Sequence, residues 1–599
     1  MTIMKYLNHE SQGMETKMQG ADLLVEMLVG YGVEHIFGVP GDTNVVFYGA
    51  LEKRRREIHH VMARDERSAG FMADAYGRLT DKPGVFECPA GAGALYSVPP
   101  VAESNTSAIP VILLTMDIPL AGEGRGVLSE LDCARLFEPI SKMSELIKSA
   151  DKIPEVLRRA FRAACTGTPG AVHLQIPQDI LEEEVDPLEV SLHVEEECMT
   201  FPAFRTGTSN EKIDALLSEL DRAERPLIVA GGGLVRSHAQ QSLKALAERA
   251  NVPVVTTMTG QGSIPADHRL GIGVIGDNGF HPHANLALEE ADLVLFIGSK
   301  LGSVVTVGFT LPQLTLDKRI SHIDIDPVAL GNSYENVLAI AGDARMVLDQ
   351  LLERMPETLD NGGHTPWVDH LNGYRSEFWS NAAQLLEGTD TPLLPERVAH
   401  ELNAVFATGD LRVNVLSDAG TPTPYMTRFL QTNEDVRLII PRAYGGLGYA
   451  IPAVVGAWYA DPDRRPVGLF GDGSLGMSAG ELETLTRLRV PAILVLFNNA
   501  AFGWIRGLHK LRGTREPISV DFSPPDGKAI GEAFGLRSWR VSSPAELETA
   551  LAAAIEYDGP CLLDVVVESI ADRVPPVYSW LTKRSRDPLS LVPENVPYF

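Results

Sequence analysis

Short apolar runs alternate with longer stretches in which apolar residues return every three or four positions, along nearly the whole chain. Runs rich in Val, Ile and Phe that stop at Gly, Pro or Asp read as strands, and the periodic stretches read as helices. The first block predicts a helix over Gly20–Tyr31, a strand and turn at Glu34–Asp42, a strand at Ile58–Ala63 and a helix over Glu66–Arg78. Strands at Gly84–Cys88, Pro110–Thr115 and Ala171–Ile176 complete it. A second block predicts strands at Pro226–Gly233, Val252–Thr256, Ala291–Ile297 and Arg319–Ile325, with a helix ending near Arg354. A third predicts strands at Val413–Ser417, Pro466–Phe470, Ala492–Asn498 and Cys561–Val567. Strands separated by helical stretches imply parallel pairing, because only a long crossover returns the chain in the same direction. The expected fold class is α/β, with three parallel-sheet domains and a C-terminal tail.

Two stretches interrupt this rhythm. Leu181–Cys198 is densely acidic and Pro356–Thr365 is rich in turn formers, so both read as solvated linkers. They divide the 599 residues into a leader (1–17), domains at 18–185, 205–355 and 390–568, and a Pro-rich tail at 569–599. The tail carries a basic cluster, Lys583, Arg584 and Arg586, in a chain whose net charge is −27. Such a surface repels nucleic acid and anionic membrane, so an anionic ligand needs a local cation or a cradle of backbone N–H groups. The apolar stretch Gly448–Ala460 is too short to span a bilayer, and the leader has no apolar secretory core. Five scattered cysteines without a C-x-x-C pair argue against disulfides and zinc, and for a reducing cytoplasm.

The sharpest chemical signal lies in the third block. The strand PVGLF runs into Gly471-Asp472-Gly473-Ser474, and the strand AILVLF ends in Asn498-Asn499. Asp472 and Asn499 are 27 positions apart, each at the C-terminal end of a strand. Parallel neighbours would set them side by side where open α/β sheets bind ligands. A carboxylate and an amide oxygen are hard donors suited to Mg²⁺, with a phosphate completing the shell. Gly473 admits close approach of that phosphate, and the following helix offers N–H donors.

GDG-SLGMSAGELETLTRLRVPAILVLF-NN resembles the cofactor signature of the thiamine diphosphate-dependent acetolactate synthase and 2-oxo acid decarboxylase superfamily. The resemblance implies that Asp472, Asn499 and the backbone carbonyl of Ala501 bind Mg²⁺, which clamps the cofactor's diphosphate beside Gly473, Ser474 and Thr421. ARDERSAGFMADAYGR, Ala63–Arg78, is similar to the family's glutamate motif, so that Glu66 would hydrogen-bond the aminopyrimidine ring and set its tautomer. RAYGGLGYAIPAVVGAW, Arg442–Trp458, is similar to the glycine-rich segment in which Leu447 would wedge the cofactor into a V, with Gly445 and Gly446 leaving room. The three blocks then take the family's order of pyrimidine-binding, middle and diphosphate-binding domains. A homodimer or homotetramer is implied as well, since the family draws its glutamate and its metal ligands from different subunits.

The implied chemistry is a C–C bond lyase or carboligase acting on 2-oxo acids: carbon dioxide leaves, and the remaining carbanion equivalent takes a proton or an acceptor carbonyl. Tyr96, Ser129, Phe502 and Trp504 are the substrate-pocket candidates. The chain departs from biosynthetic acetohydroxyacid synthases at Ser129, Lys300, Val304, Leu508 and Thr421-Pro422, which points away from branched-chain amino acid synthesis. Two alternatives remain: a benzoylformate-type decarboxylase, from the leucine wedge, and an enzyme like the 2-hydroxyacyl-CoA lyases or oxalyl-CoA decarboxylases, its basic tail covering an acyl-CoA. Gly231–Gly233 after PLIVA either receives FAD or ADP in the middle domain or forms a turn without a ligand.

Overall fold

The computed structural model describes residues 17–356, 363–407 and 411–581. By internal contacts it forms two compact units. One comprises the chain up to Phe204 with Arg442–Gly446 and Pro452–Pro462, and the other comprises the remainder.

The first unit is built on a six-stranded sheet in the order His59–Met62, His35–Gly38, Gly84–Pro89, Val111–Asp117, Ala171–Pro177 and Met143–Leu146. Every pairing is parallel. Val111–Asp117 and Ala171–Pro177 are buried at every position, as expected for central strands covered on both faces. One face packs on Gly20–Gly30 and Ile153–Cys165, where the Tyr31 and Phe161 rings stack 3.9 Å apart. Helix Glu66–Thr80 is buried from Ser68 to Gly77, a run dominated by small residues that lets neighbouring backbone approach. Helix Ala450–Ala460 lies so close that a Cβ on Gly456 would stand 2.0 Å from the Met72 carbonyl. That contact places the apolar stretch Gly448–Ala460 largely in a buried helix.

The second unit holds two further six-stranded parallel sheets. The first runs Gly271–Val274, Val254–Thr256, Pro226–Ala230, Leu293–Ile297, Arg319–Asp324 and Leu338–Ala341. Numbered along the chain this is 3-2-1-4-5-6, the doubly wound order. The second runs Val436–Ile439, Val413–Ser417, Arg465–Gly471, Ile493–Asn498, Cys561–Val566 and Arg537–Val541. Its order is 2-1-3-4-6-5, the same as in the first unit's sheet. A 22-residue helix, Thr365–Leu386, follows the second linker, where the sequence reading placed no element.

Among the described residues all five cysteines are buried and free, and no helix is long and apolar enough to cross a membrane. Residues 1–16 of the leader and the tail cluster Lys583, Arg584 and Arg586 lie outside the described residues. The tail up to Leu581 docks on its own unit: Gly279 N–H donates to the Pro576 carbonyl at 2.8 Å, and Ser579 N–H to Asp277 at 2.7 Å.

Candidate active site

In the second unit, the switch in strand order falls between Val413–Ser417 and Arg465–Gly471, where an open parallel sheet leaves a crevice. Parallel pairing of Arg465–Gly471 with Ile493–Asn498 brings Asp472 and Asn499 together as the spacing predicts: Asn499 N–H donates to Asp472 Oδ2 at 3.0 Å. The other carboxylate oxygen accepts Gly473 N–H at 2.8 Å. Burial raises the Asp472 pKa, a cost that a bound cation would offset.

Asn499 donates its Nδ2 to Thr421 Oγ1 at 3.3 Å, while its buried Oδ1 has no partner. A buried acceptor left open is expensive in a folded protein, and this one suits a metal ion. Ala500 between these groups adopts φ +54°, strain of roughly 1–3 kcal/mol for a residue with a side chain, and such strain collects at functional sites. The Ala501 carbonyl accepts Gly503 N–H at 2.8 Å, which leaves a second lone pair for a metal.

Gly473 lies in the first turn of the helix Asp472–Ser478, and a Cβ there would stand 2.7 Å from the Phe502 ring and 3.9 Å from Leu447. Leu447, Gly473 and Phe502 therefore meet, joining the glycine-rich segment to the loop after strand Ile493–Asn498. Gly445 and Gly448 on either side of Leu447 have φ +67° and +87°, conformations that favour glycine. Ser474 is buried beside Gly473. Trp504 turns the other way, its ring 4.7 Å from Trp580 of the tail and packed on the core of this unit.

Sequence reasoning passed over Asp418. It is fully buried, and its Oδ2 accepts the N–H groups of Gly448 at 3.0 Å, Tyr449 at 3.1 Å and Ala450 at 3.5 Å. It thus fastens the Leu447 segment and the start of helix Ala450–Ala460 to the end of strand Val413–Ser417. Burial lifts its pKa to about 6. The signal was an acid directly after an apolar strand, in SDAG.

In the first unit, Glu66 stands at the first position of its helix behind the cap Asp65, whose side chain accepts Arg67 N–H at 2.7 Å. Its carboxylate reaches toward the turn at Ala90–Gly93, where a Cβ on Gly93 would come within 3.1 Å of Oε1. Desolvation raises the Glu66 pKa, with smaller upward contributions from Asp65 and Glu87. Ser129 packs against the same turn, 2.7 Å from where a Gly91 Cβ would be, and Tyr96 is exposed just beyond it.

Glu87 is a second residue that sequence reasoning missed. Fully buried in the strand Gly84–Pro89, it accepts bonds from Asn44 at 2.6 Å and Tyr48 at 2.7 Å, with His60 at 3.2 Å. A glutamate inside an otherwise apolar strand was its sequence signal. In the middle sheet, Gly231 and Gly233 spend their N–H groups on the carbonyls of Ile297 and Gly298, at 2.8 and 2.9 Å. Their glycines admit the Gly298 backbone, so the run works as close packing between neighbouring strands.

Three family models match the chain in order. "Thiamine pyrophosphate enzyme, N-terminal TPP binding domain" matches residues 18–136, "central domain" residues 213–351, and "C-terminal TPP binding domain" residues 418–565. Among curated proteins, the chain is 30% identical to a probable acetolactate synthase large subunit of Methanococcus aeolicus, over 93% of this chain and 94% of the relative. It is 30% identical to the acetolactate synthase isozyme 3 large subunit of Escherichia coli (strain K12), over 90% and 92%. It is 28% identical to an acetolactate synthase of Arthrospira platensis, over 94% and 96%.

Proposed function

Since the chain belongs to the thiamine pyrophosphate enzymes and is an acetolactate synthase-like enzyme of that family, we propose that it decarboxylates a small 2-oxo acid and transfers the remaining acyl group to an acceptor carbonyl. Mg²⁺ and the cofactor's diphosphate would be held by Asp472, Asn499, the Ala501 carbonyl, Gly473, Ser474 and Thr421. The observation that carries this reading is the unpartnered, buried Asn499 Oδ1 beside the buried Asp472 carboxylate. Among the described residues no group of three or more His, Cys, Asp or Glu could hold a metal, so mixed donors with a phosphate are the chemistry this chain offers.

When bound, thiamine diphosphate supplies a nucleophilic carbon that accepts the electron pair released with carbon dioxide. The chain's residues do the rest. Glu66, its pKa raised by desolvation, holds its proton more tightly than an ordinary glutamate, and its carboxyl oxygen would exchange that proton with the ring. Leu447, on the segment fastened by Asp418, would be the side chain against which the cofactor rests. Phe502, beside Gly473 and Leu447, is a substrate-pocket candidate in the second unit, and Ser129 and Tyr96, near the turn that Glu66 reaches, are candidates in the first. We assign the working unit as at least a homodimer, on the strength of the family resemblance.

Incubation of the protein with thiamine diphosphate, Mg²⁺ and pyruvate, with product identification by mass spectrometry, tests the reading. Acetolactate and carbon dioxide in equal amounts are expected. Pyruvate recovered intact, with 2-hydroxyacyl-CoA thioesters cleaved instead, would overturn it.

A further inference from the structure

The helix Gly503–Leu511 starts two residues after Ala501, so its seat bears directly on the loop 499–501. Its buried residues are Gly503 and Gly507, one turn apart, and neither has a side chain to pack. The tail fills that face. A Cβ on Gly507 would stand 2.8 Å from the Trp580 ring, and one on Gly503 would stand 3.3 Å from Ile570 and 3.1 Å from Asn499 Nδ2. The Trp504 and Trp580 rings lie 4.7 Å apart, and Lys510 Nζ donates to Asp572 at 2.6 Å. Trp504, Leu508 and Leu511 rest on an apolar cluster to which the tail supplies Ile570, Val574, Val577, Trp580 and Leu581. A nine-residue helix with two glycines has little stability of its own, so packing on the tail holds it in place.

The far end of this tail segment is tied down as well. Gly279 N–H donates to the Pro576 carbonyl at 2.8 Å, and Tyr578 N–H donates to the Asp277 carbonyl at 2.8 Å. The Asp277 carboxylate accepts Ser579 N–H at 2.7 Å and the Ser579 hydroxyl at 3.1 Å. Asn278 and Val577 form an antiparallel bridge, and the Tyr578 ring meets Phe280 edge-on at 5.1 Å. These partners follow the strand Gly271–Val274 of the middle sheet. Within the second unit the tail thus runs from that sheet to the helix behind the metal loop.

The loop needs such support. Ala500 at φ +54° keeps a conformation that persists only where the surroundings impose it. On one side, Phe522 N–H donates to the Ala500 carbonyl at 3.2 Å and Phe502 N–H to the Val520 carbonyl at 2.8 Å. On the other, the chain passes straight into the helix, where Gly503 N–H closes on the Ala501 carbonyl at 2.8 Å.

We propose that residues 570–581 strap the helix Gly503–Leu511 and thereby fix the loop 499–501 for Mg²⁺, with Trp580 as the positioning residue. The inference rests on the assignment of Asp472, Asn499 and the Ala501 carbonyl as the metal site. Trp580 acts through Gly507 and Trp504, and not as a ligand.

Thiamine diphosphate binding to the full-length protein, measured by calorimetry at increasing Mg²⁺ and well below each variant's Tm, tests this. Trp580→Ala is expected to raise the Mg²⁺ midpoint roughly 10–100-fold, the usual effect of removing a group that orients metal ligands. Trp580→Phe keeps a ring against Gly507 and should recover most of that loss. Asp277→Ala cuts the far anchor while leaving the contacts of the loop itself in place. It should raise the midpoint too, and it covers the case in which Trp580→Ala fails to fold. In the unloaded protein, both alanine variants should speed hydrogen exchange in peptides covering residues 499–511. An unchanged midpoint in either folded alanine variant, a loss in Trp580→Phe as large as in Trp580→Ala, or a lower Tm without faster exchange at 499–511 would each overturn the strap. Wild-type protein that binds thiamine diphosphate equally well in EDTA would overturn the metal assignment itself, which distinguishes the two failures.

Discussion

Asp418 accepts the backbone N–H of Gly448 at 3.0 Å across thirty positions of chain, and so ties the segment bearing Leu447 to the end of strand Val413–Ser417. The same oxygen takes Tyr449 N–H, so one buried carboxylate holds the start of a helix and the residue before it. Asp418→Ala leaves these donors without an acceptor, a loss of about 1–3 kcal/mol for a buried unsatisfied group. The expected outcome is a lower Tm and a kcat reduced more than KM for the 2-oxo acid, measured against wild type. An unchanged kcat would remove Asp418 from the positioning of Leu447.

The Asp418 carboxyl also predicts a pH dependence of stability. Its folded pKa, about 6, lies above the unfolded value near 3.9, so the native state binds its proton more tightly. Stability from this group is therefore fully present below about pH 4 and is lost as pH rises through about 6. In denaturant titrations from pH 4 to pH 7, Asp418→Asn should flatten that decline relative to wild type. A wild-type advantage that grows with pH over this window would have the wrong sign.

Glu66 is predicted to act on the proton and not on affinity. Glu66→Gln keeps the size and much of the hydrogen bonding, so cofactor binding by calorimetry should change only slightly. Turnover should fall by roughly 10²–10⁴-fold, the usual range for a general acid–base residue.

Glu87 tests the electrostatics around that residue. Glu87 is one of two carboxylates that raise the Glu66 pKa, after desolvation. Glu87→Gln removes the like charge while its amide oxygen keeps an acceptor for one of the two donors, Asn44 or Tyr48. The acidic limb of the pH–rate profile is expected to move to lower pH; a shift to higher pH would contradict the assignment.

Much of this was legible in the sequence where burial is complete on both faces. Val413–Ser417, Arg465–Gly471, Ile493–Asn498 and Cys561–Val566 are continuous apolar runs, and each was found within two residues of its observed ends. In the three six-stranded sheets the unread strands were Met143–Leu146, Gly271–Val274, Leu338–Ala341, Val436–Ile439 and Arg537–Val541, all at sheet edges. An edge strand is covered less and carries polar residues such as Ser144, Arg437 and Arg540, so its pattern resembles a loop. The site divides the same way. Asp472 and Asn499 lie on adjacent strands and could be paired by spacing, whereas Asp418 and Glu87 act through partners distant in sequence. Trp504 was read for the pocket from its place after the metal motif, and the contact with Trp580 depends on a tail that spacing does not locate.

The central claim is that Asp472 and Asn499 form a divalent-cation site through which an acidic protein binds a diphosphate. Titration calorimetry of thiamine diphosphate, with Mg²⁺ and then with EDTA, on wild type and Asn499→Ala tests it most directly. The account predicts tight binding only with Mg²⁺ and only in the wild type. Equal affinity in EDTA, or in Asn499→Ala, would contradict it.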